Sequence, residues 1–343
     1  MTLPADLAHL KRLSQRLGAD PLRIQGPGGN TSIKERDTMW IKASGTELAD
    51  AERREIFVAV DLAAMRAALD ADDPKADQPA EFARTPGGLR PSIETSLHAV
   101  FPQRVVLHAH CVDTIALAIR ADARARLAER LASQRHGFVR YAKPGATLAK
   151  AVAVSGGVEA GVVVLGNHGL IVAGDTVEAA QALFERVTAA VKATPAPFAA
   201  PDMAELARRG GEAYAPPPAD HPLHGVALSP YRCQAALRGS LYPDHVIFCG
   251  VGATALAGDE IADDLVARLG AAGLTAPPFL LVPGVGALIA RAASAGALAL
   301  SRCLGDVLAR VPEGTELIYL TPAQNAELID WDAEKYRRAL NAN

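Results

Sequence analysis

Several residue types and patterns that define whole classes of protein are scarce in this chain. Only four of its 343 residues are cysteines and none forms a C-x-x-C pair, which favours free thiols in a reducing compartment over a disulfide framework. The formal net charge is only -3 without a basic stripe, so we expect neither nucleic acid nor a membrane surface as partner. The first residues are amphipathic, unlike a signal peptide, and no apolar run reaches bilayer length, which predicts a soluble, cytoplasmic protein.

Two domains are predicted from the chain length and from the placement of proline. The length exceeds the roughly 100–200 residues of a typical single domain, and half of the residues are hydrophobic, enough for a sizeable core. Proline clusters at residues 194–201 and 215–222 are typical of a connection between domains. We therefore expect one domain at residues 1–200 and a smaller one at residues 201–343.

Strand-like and helical segments alternate in both halves, which predicts an α/β protein. In the first half, valine-rich runs at residues 105–110 and 160–174 are expected strands, and a helix capped by Thr176 is expected to follow. The second half is predicted to run strand, helix, strand, helix, with Asp259 capping the first of these helices. These four segments are residues 245–250, 259–270, 278–284 and 292–311.

Two histidines one residue apart stand in an otherwise apolar stretch, "LHAHCVDTIAL", at residues 107–117. Side chains at i and i+2 of a strand share a face, so His108 and His110 are expected side by side. Two neutral imidazoles placed in this way can bind one divalent cation at about 2.0–2.1 Å each. Hydrogen-bonded histidines on a half-buried strand are also commonplace, so the pair alone leaves both interpretations open.

A third histidine and a carboxylate favour a metal site. His168 stands between an asparagine and a glycine where a valine-rich strand ends, a position from which a side chain can turn into a cleft. Glu94 stands at the expected start of a helix, with Ser92 as a cap candidate. Three fixed ligands and one open position are the usual complement of a catalytic divalent cation. By itself, however, Glu94 also fits a solvated first-turn glutamate.

Five short motifs occur in an order and spacing that resemble the class II aldolase/adducin family, which includes the fuculose and rhamnulose phosphate aldolases. The motifs are "GPGGNTSIK", "KASGT", "PSIET", "HAH" and "NHGL". The resemblance covers the segment from about residue 5 to about residue 195. It implies a three-layer α/β/α sandwich with a mainly antiparallel central sheet. It also implies a homo-oligomer, with a tetramer favoured and active sites between subunits.

The resemblance also implies roles for individual residues. His108, His110 and His168 would bind Zn²⁺ or another divalent cation, and Glu94 would be the acid/base. Tyr141 would carry a second proton across a subunit interface, although an interfacial packing tyrosine also fits. A phosphate group would need the N–H groups of glycine-rich loops and nearby hydroxyls, although an ordinary turn also explains each glycine cluster. The candidate phosphate-binding residues are Gly28, Gly29, Asn30, Ser44, Gly45 and Ser92.

The expected reaction is the cleavage or formation of a small, phosphorylated ketose. Retro-aldol cleavage leaves an enediolate, whose negative charge a divalent cation stabilises as a Lewis acid. In the condensation direction, Glu94 is the candidate base for the proton beside the carbonyl. Ile93 departs from the phosphate aldolases, which commonly have a second serine there, and this leaves the substrate open. The alternatives are a pentulose-phosphate epimerase, a keto-acid-phosphate decarboxylase and a non-catalytic, adducin-like interaction domain.

The second half carries a glycine pattern that imitates a dinucleotide-binding fingerprint. Gly250, Gly252 and Ala255 match G-x-G-x-x-A, but no helix opens directly on them, so a β-turn explains them better. The remaining histidines there, His221, His224 and His245, lack chelate spacing.

Three segments of this half resemble the joining segment of bifunctional rhamnulose-phosphate aldolase/alcohol dehydrogenases. These segments are "YPDHVIFCG", "LLVPGVGALIA" and residues 320–340. The chain ends at Asn343, so no dehydrogenase module is expected. The role of this half stays open between capping the active site, extending the oligomer interface and binding a substrate tail.

Overall fold

The computed structural model describes residues 3–85 and 87–330. Contacts divide the chain into two compact units, the first formed by Met1–Ala118 with Asp122–Lys192 and the second by Ile119–Ala121 with Ala193–Asn343. None of the helices in the described part of the chain has the length and apolarity that a bilayer span requires. The division into a metal-binding catalytic domain at residues 1–200 and a smaller domain at residues 201–343 stays a prediction.

The first unit alternates strands and helices along the chain. Three short 3-10 turns, at Leu48–Asp50, Pro74–Asp77 and Pro79–Phe82, interrupt its longer connections. In chain order its elements are α1 (Leu7–Gly18), β1 (Asn30–Glu35), β2 (Thr38–Lys42), β3 (Phe57–Asp61), α2 (Leu62–Asp70), α3 (Thr95–Ala99), β4 (Val105–Ala109), α4 (Val112–Ala118), α5 (Ala123–Arg130), β5 (Gly137–Val139), α6 (Ala146–Ala153), β6 (Val162–Leu165), β7 (Gly169–Gly174) and α7 (Val177–Val191).

These strands form one seven-stranded sheet in the order β3-β2-β1-β4-β7-β6-β5. All neighbouring strands are antiparallel except β5 and β6, which are parallel. In the pairing of the central strands, Asn30 of β1 faces His108 of β4, and His108 faces Ile171 of β7. The mainly antiparallel sheet expected from the resemblance is therefore confirmed.

Helices cover both faces of this sheet, which makes the first unit a three-layer α/β/α sandwich. One hydrophobic core contains residues of α1 and α7, and a second contains residues of α2 and α6. Strand β4 contributes to both cores, because successive side chains of a strand point to opposite faces. Val105 and Leu107 lie in the first core, whereas Val106 lies in the second. The alternation places His108 on the same side of the strand as Val106.

The second unit is a smaller α/β arrangement around a three-stranded antiparallel sheet of order β8-β10-β9. A hydrophobic core that includes Leu206, Leu265, Leu280 and Leu288 joins this sheet to its helices. In chain order the elements are α8 (Met203–Gly210), β8 (Tyr214–Ala215), α9 (Pro222–Leu228), α10 (Pro230–Arg238), α11 (Pro243–Cys249), α12 (Ala262–Ala271), β9 (Phe279–Val282), β10 (Gly286–Ala290), α13 (Ala295–Ala309) and α14 (Pro322–Asp330).

Two local predictions for the second half are wrong. Residues 245–250 were expected to form a strand, but residues 245–249 belong to α11, which has Pro243 at its first helical position and Asp244 in its first turn. Proline there fits a helix start because its φ is already helical and its missing N–H has no partner in the helix anyway. The cap of α12 is Ile261 rather than Asp259. Gly250 thus follows a helix, which removes the strand that a dinucleotide-binding turn requires.

Other local predictions are confirmed. The Thr176 hydroxyl accepts a hydrogen bond from the N–H of Ala179 at 3.1 Å and caps α7. The strand at β9 and the long helix α13 lie where the apolar patterns predicted them. Of the closing segment that resembles a bifunctional enzyme, residues 331–340 lie outside the described residues.

Candidate metal centre

Three imidazoles converge at one end of the central strands. His108 belongs to β4, His110 follows that strand directly, and His168 lies in the turn between β6 and β7. Each of the three residues is at most 5% exposed. One nitrogen from each ring lies within 4.8 Å of those of the other two, and Nε2 of His108 is 3.1 Å from Nε2 of His110. The structure therefore brings together the three histidines that the sequence singled out.

The turn that carries His168 is shaped by its two neighbours. Asn167 has a φ of 55°, in the left-handed region that asparagine tolerates better than most residues. Gly169 begins β7 next to β4, and a Cβ at this position would lie 2.5 Å from the carbonyl oxygen of Ala109. Side chains are excluded at this distance, so the strands can approach only because this residue is glycine. The "NHG" motif is thus required to place the imidazole beside β4.

The ring nitrogens are arranged as ligands of a single ion. Nδ1 of His108 lies 3.1 Å from the carbonyl oxygen of Leu170, which can only accept, so this nitrogen carries the proton and Nε2 presents a lone pair. Two ligand atoms at about 2.0–2.1 Å from a tetrahedral ion stand about 3.3 Å apart. The 3.1 Å between the two Nε2 atoms is close to that spacing. The donor set fits a divalent cation that prefers nitrogen ligands, such as Zn²⁺.

Glu94 lies against the same nitrogens. Its Oε2 is 3.3 Å from Nε2 of His108, and its Oε1 is 3.5 Å from Nε2 of His168. The side-chain amide of Asn30 donates a hydrogen bond of 2.7 Å to Oε2. Burial raises the pKa of Glu94, but the three imidazoles and the Asn30 amide together outweigh it and lower the pKa to about 2. The carboxylate is thus ionised at neutral pH and fixed in orientation.

Ser92 has a different position from the one predicted. It does not cap α3, whose N-cap residue is Glu94. Its Oγ instead accepts hydrogen bonds of 3.2 Å from the N–H of Glu94 and from the Asn30 amide. The bond from Glu94 closes a turn in front of the helix, since a serine hydroxyl readily accepts from the N–H two residues further on, and the bond from Asn30 ties this turn to β1. Ser92 and Asn30, both predicted to bind phosphate, are therefore engaged with the Glu94 segment.

The glycine loop before β1 is held close to the histidine strand. Gly29 has a φ of 58°, and a Cβ on it would lie 2.8 Å from the carbonyl oxygen of His108. The N–H of Gly28 donates to Gln25 O at 3.0 Å, and the N–H of Ser44 donates to Arg90 O at 2.8 Å. Gly45 has a φ of 76°. Gly29 and Gly45 thus both adopt backbone conformations that favour glycine. Phosphate binding by these loops stays a prediction.

Two buried residues beside the centre were not singled out from the sequence. Lys42 is 2% exposed and donates hydrogen bonds from Nζ to Pro27 O at 2.7 Å and Thr46 O at 2.8 Å, which ties the two glycine loops together. His98 is fully buried, with Nδ1 2.7 Å from Ser32 Oγ, and burial lowers its pKa well below the ordinary value. The signals were present, because Lys42 opens "KASGT" and His98 follows Glu94 by one helical turn.

Tyr141 lies two residues after β5, the strand at one edge of the sheet, and is partly buried. Its predicted role involves a second copy of the chain and stays a prediction.

Comparisons with known proteins match the part of the chain that contains this centre. The family model described as "Class II Aldolase and Adducin N-terminal domain" matches residues 6–194, which include all three histidines and Glu94. A curated protein of Bacillus subtilis (strain 168), named "Uncharacterized oxidoreductase YuxG", is 32% identical over 194 residues. That match covers 51% of this chain and 27% of the relative, so the chain spans about a quarter of the relative's length.

Two solved structures resemble the fold. The N-terminal class II aldolase domain of a conserved protein from Thermoplasma acidophilum has a TM-score of 0.50 at 27% identity, over 56% of this chain and 94% of that one. The L-fuculose-1-phosphate aldolase from Thermus thermophilus has a TM-score of 0.37 at 19% identity, over 55% and 93% of the two chains. The second likeness is too low to transfer an activity.

Proposed function

Because the chain belongs to the class II aldolase and adducin family, we propose that it is a metal-dependent aldehyde-lyase that cleaves or forms a small ketose phosphate. The observation that supports this best is the convergence of His108, His110 and His168 on the carboxylate of Glu94. A packing role does not require buried ring nitrogens to face each other, because buried polar groups are satisfied most easily by backbone partners.

The three imidazoles would hold the cation, with Zn²⁺ as the first candidate. When bound, a divalent cation would supply Lewis-acid stabilisation of the negative charge on the enediolate. The protein contributes the fixed orientation of the ligands. The carbonyl of Leu170 holds the His108 ring and selects its tautomer, and such outer contacts are an essential part of metal affinity.

Glu94 would be the acid/base. Its carboxylate is ionised at neutral pH and can accept the proton from the carbon beside the carbonyl in the condensation direction. The hydrogen bond from Asn30 engages Oε2 of Glu94 and so restrains the whole carboxylate. This favours a single orientation of Oε1, the other oxygen. Burial of Glu94 at 5% exposure keeps bulk water from competing for this proton.

The same proposal assigns roles to Tyr141 and to the glycine-rich loops. Tyr141 would serve the oxygen of the aldehyde fragment from a neighbouring subunit of a homo-oligomer, with a tetramer favoured. The phosphate group would bind at the loops that contain Gly28, Gly29, Ser44 and Gly45. The bonds from Lys42 to both loops and the close approach of Gly29 to His108 support this placement, because they hold the loops beside the centre.

The test begins with metal analysis of the purified full chain, followed by a panel of ketose 1-phosphates assayed for release of dihydroxyacetone phosphate. Glu94→Gln is the control variant, and we expect it to keep the metal but to lose turnover by about 100-fold or more, the scale of a lost general acid/base. A variant with full turnover would remove Glu94 from this role.

Other outcomes separate the alternatives. Retention of all carbons with inversion at one centre would indicate a pentulose-phosphate epimerase, and release of carbon dioxide would indicate a decarboxylase. Relatives within one fold can differ in the bond they break, because side chains of the substrate pocket decide this. Absence of bound metal, together with thermal stability that a chelator does not change, would favour a non-catalytic, adducin-like domain.

A further inference from the structure

The second unit contains a cleft of about 550 Å³. Its walls come from the chain before α8, the end of α9, the start of α10 and the end of α13, so that it lies entirely within this unit. Its volume lies in the range of about 300–1,000 Å³ that is typical of sites for small molecules. The lining combines apolar residues, among them Phe198, Leu228 and Val311, with the charged residues Arg232, Arg310 and Glu313.

The guanidinium of Arg232 is a buried positive charge in this cleft. It lies in the first turn of α10 and is only 6% exposed. Its Nε is buried without a hydrogen-bond partner, and no ion pair to this guanidinium is found among the described residues. An arginine stays protonated in proteins, so it cannot relieve its burial by losing the charge. Burying an unpaired charge is strongly unfavourable, and arginines at such positions ordinarily have an anionic partner.

The other charged residues of the cleft already have partners. Nη1 of Arg310 donates to the carbonyl oxygen of Asp306 at 2.8 Å and lies 3.4 Å from its carboxylate. Glu313 is exposed and accepts a hydrogen bond of 2.8 Å from Ser229 Oγ. Ser229 is also the N-cap residue of α10, so its bond places the Glu313 carboxylate near the N-terminus of that helix. Glu313 is exposed there, and solvent screens its charge. Arg232 is thus the cation of this cleft for which the described residues supply no ion pair.

We propose that this cleft binds a small organic oxyanion, whose carboxylate or phosphate group pairs with the guanidinium of Arg232. The planar guanidinium matches the paired oxygens of either group and forms charge-assisted, often bidentate hydrogen bonds with them. The carbon skeleton of the ligand contacts the apolar wall. Phe198 forms a fixed part of that wall, because it packs so closely on Gly225 that a Cβ there would lie 2.9 Å from the ring. The site belongs to the second unit and does not depend on the function proposed for the histidine centre.

Calorimetric titration of the full chain tests this proposal with three probes of the same carbon skeleton. Glycerol 3-phosphate carries a phosphate, glycerate carries a carboxylate, and glycerol carries neither. We expect one of the two anions to bind, which identifies the charged group, and we expect glycerol not to bind. Binding of glycerol as tight as that of the anions would overturn the proposal, as would binding of no anion.

Arg232→Met distinguishes this cleft from any phosphate site near the histidines. Methionine keeps much of the side-chain volume, and we expect at least a 10-fold loss of affinity for the bound anion, with unchanged metal content. The matched control is Arg208→Met, which removes an exposed arginine of the same unit that pairs with Glu205, and it should bind as the unchanged chain does. Equal affinity in the chains with and without Arg232 would overturn the proposal.

Thermal unfolding separates a binding role for Arg232 from a structural one. Without ligand, the Arg232→Met variant should unfold at the same or a higher temperature, since an unpaired buried charge has been removed. The anion should raise the unfolding temperature of the unchanged chain but not that of the variant. A variant that unfolds at a clearly lower temperature without ligand, together with no effect of the anion on the unchanged chain, would assign Arg232 to structure alone.

Discussion

Each unit contains buried histidine side chains, and the histidine centre of the first unit contrasts with His245 of the second. In the first unit, the nitrogens of His108, His110 and His168 face one another and the Glu94 carboxylate. In the second unit, His245 is fully buried, and neither of its ring nitrogens has a hydrogen-bond partner within the described part of the chain. Its ring packs instead beside Tyr242 and Phe279, with centroids 5.8 and 6.1 Å away. Burial of an imidazole therefore does not identify a site, whereas the direction of its nitrogens does.

The electrostatic consequences of the two arrangements also differ. Burial lowers the pKa of His245 to about 4, so this ring is neutral at physiological pH and acts as a packing group. In the histidine centre, Nε2 of His108 and Nε2 of His110 are 3.1 Å apart, a distance that requires a proton or a cation between the two nitrogens. A bound cation would stabilise the first arrangement, whereas apolar surroundings stabilise the neutral ring in the second.

The largest effect should follow from removal of one imidazole of the centre. We expect His108→Ala to lose metal affinity by more than about 100-fold, since changes to residues that only support a ligand already cost 10–100-fold. Activity should be lost with the metal. The measurement is metal content after dialysis, together with turnover of any substrate found in the panel.

The matched control for this variant is His245→Leu, which also removes a buried imidazole. It should keep the metal and the activity, because His245 lies among aromatic rings away from any group of ligands in the described chain. Loss of metal from both variants would contradict the assignment of His108 to metal binding and of His245 to packing. Full metal content in His108→Ala would remove that residue from the ligand set.

A smaller effect is expected from Asn30→Ala, which removes the 2.7 Å hydrogen bond to Glu94. If Asn30 positions the carboxylate, kcat should fall about 10-fold or more, while the metal content and KM change little, since supporting residues typically contribute 10–100-fold. Steady-state kinetics on the metal-loaded enzyme measures both constants. A rise in KM with unchanged kcat would instead restore Asn30 to the predicted phosphate site.

The sequence predicts the first unit better than the second for physical reasons. Its strands alternate or run continuously apolar, its motifs have fixed spacing, and a period of two places His108 and His110 together without knowledge of the fold. The meeting of His168 with that pair could not come from spacing, because it depends on β7 lying next to β4 in the sheet. The position of His168 at the end of a valine-rich strand suggested a third ligand, and the family resemblance implied that it joins the pair.

The errors concern short segments in which two signals compete. Residues 245–250 are apolar and include valine and isoleucine, which suggested a strand, but Pro243 and Asp244 start a helix there. The role of Lys42 was missed for another reason. A lysine at the end of a strand is ordinarily exposed, and only the tertiary structure brings the carbonyls of Pro27 and Thr46 to its ammonium group.

Removal of that ammonium group should have a moderate effect on stability. In Lys42→Met, the carbonyls of Pro27 and Thr46 lose their donor, and a buried polar group without a partner costs about 1–3 kcal/mol. Relief from burying the charge offsets part of this, so we expect a loss of about 2 kcal/mol in the free energy of unfolding. Urea unfolding measures the difference, with the exposed Lys192→Met as control. Equal stability of the two variants would show that Lys42 does not hold the loops.

The smallest effect at neutral pH should come from His245→Leu, and it should grow in acid. The ring has a pKa near 4 in the folded chain and about 6.5 when unfolded, so the unfolded state binds the proton more readily as the pH falls below 6.5. The contribution of the neutral ring to the free energy of unfolding is therefore fully present above pH 6.5. As the pH falls from 6.5 to 4, this contribution declines by about 1.4 kcal/mol for each pH unit. Leucine does not titrate, so the variant should gain stability relative to the unchanged chain by about that amount at pH 5.5. The measurement is the free energy of unfolding of both proteins from pH 7 to pH 5. A difference between them that does not change with pH would mean that His245 has a partner for its proton, as in the histidine centre.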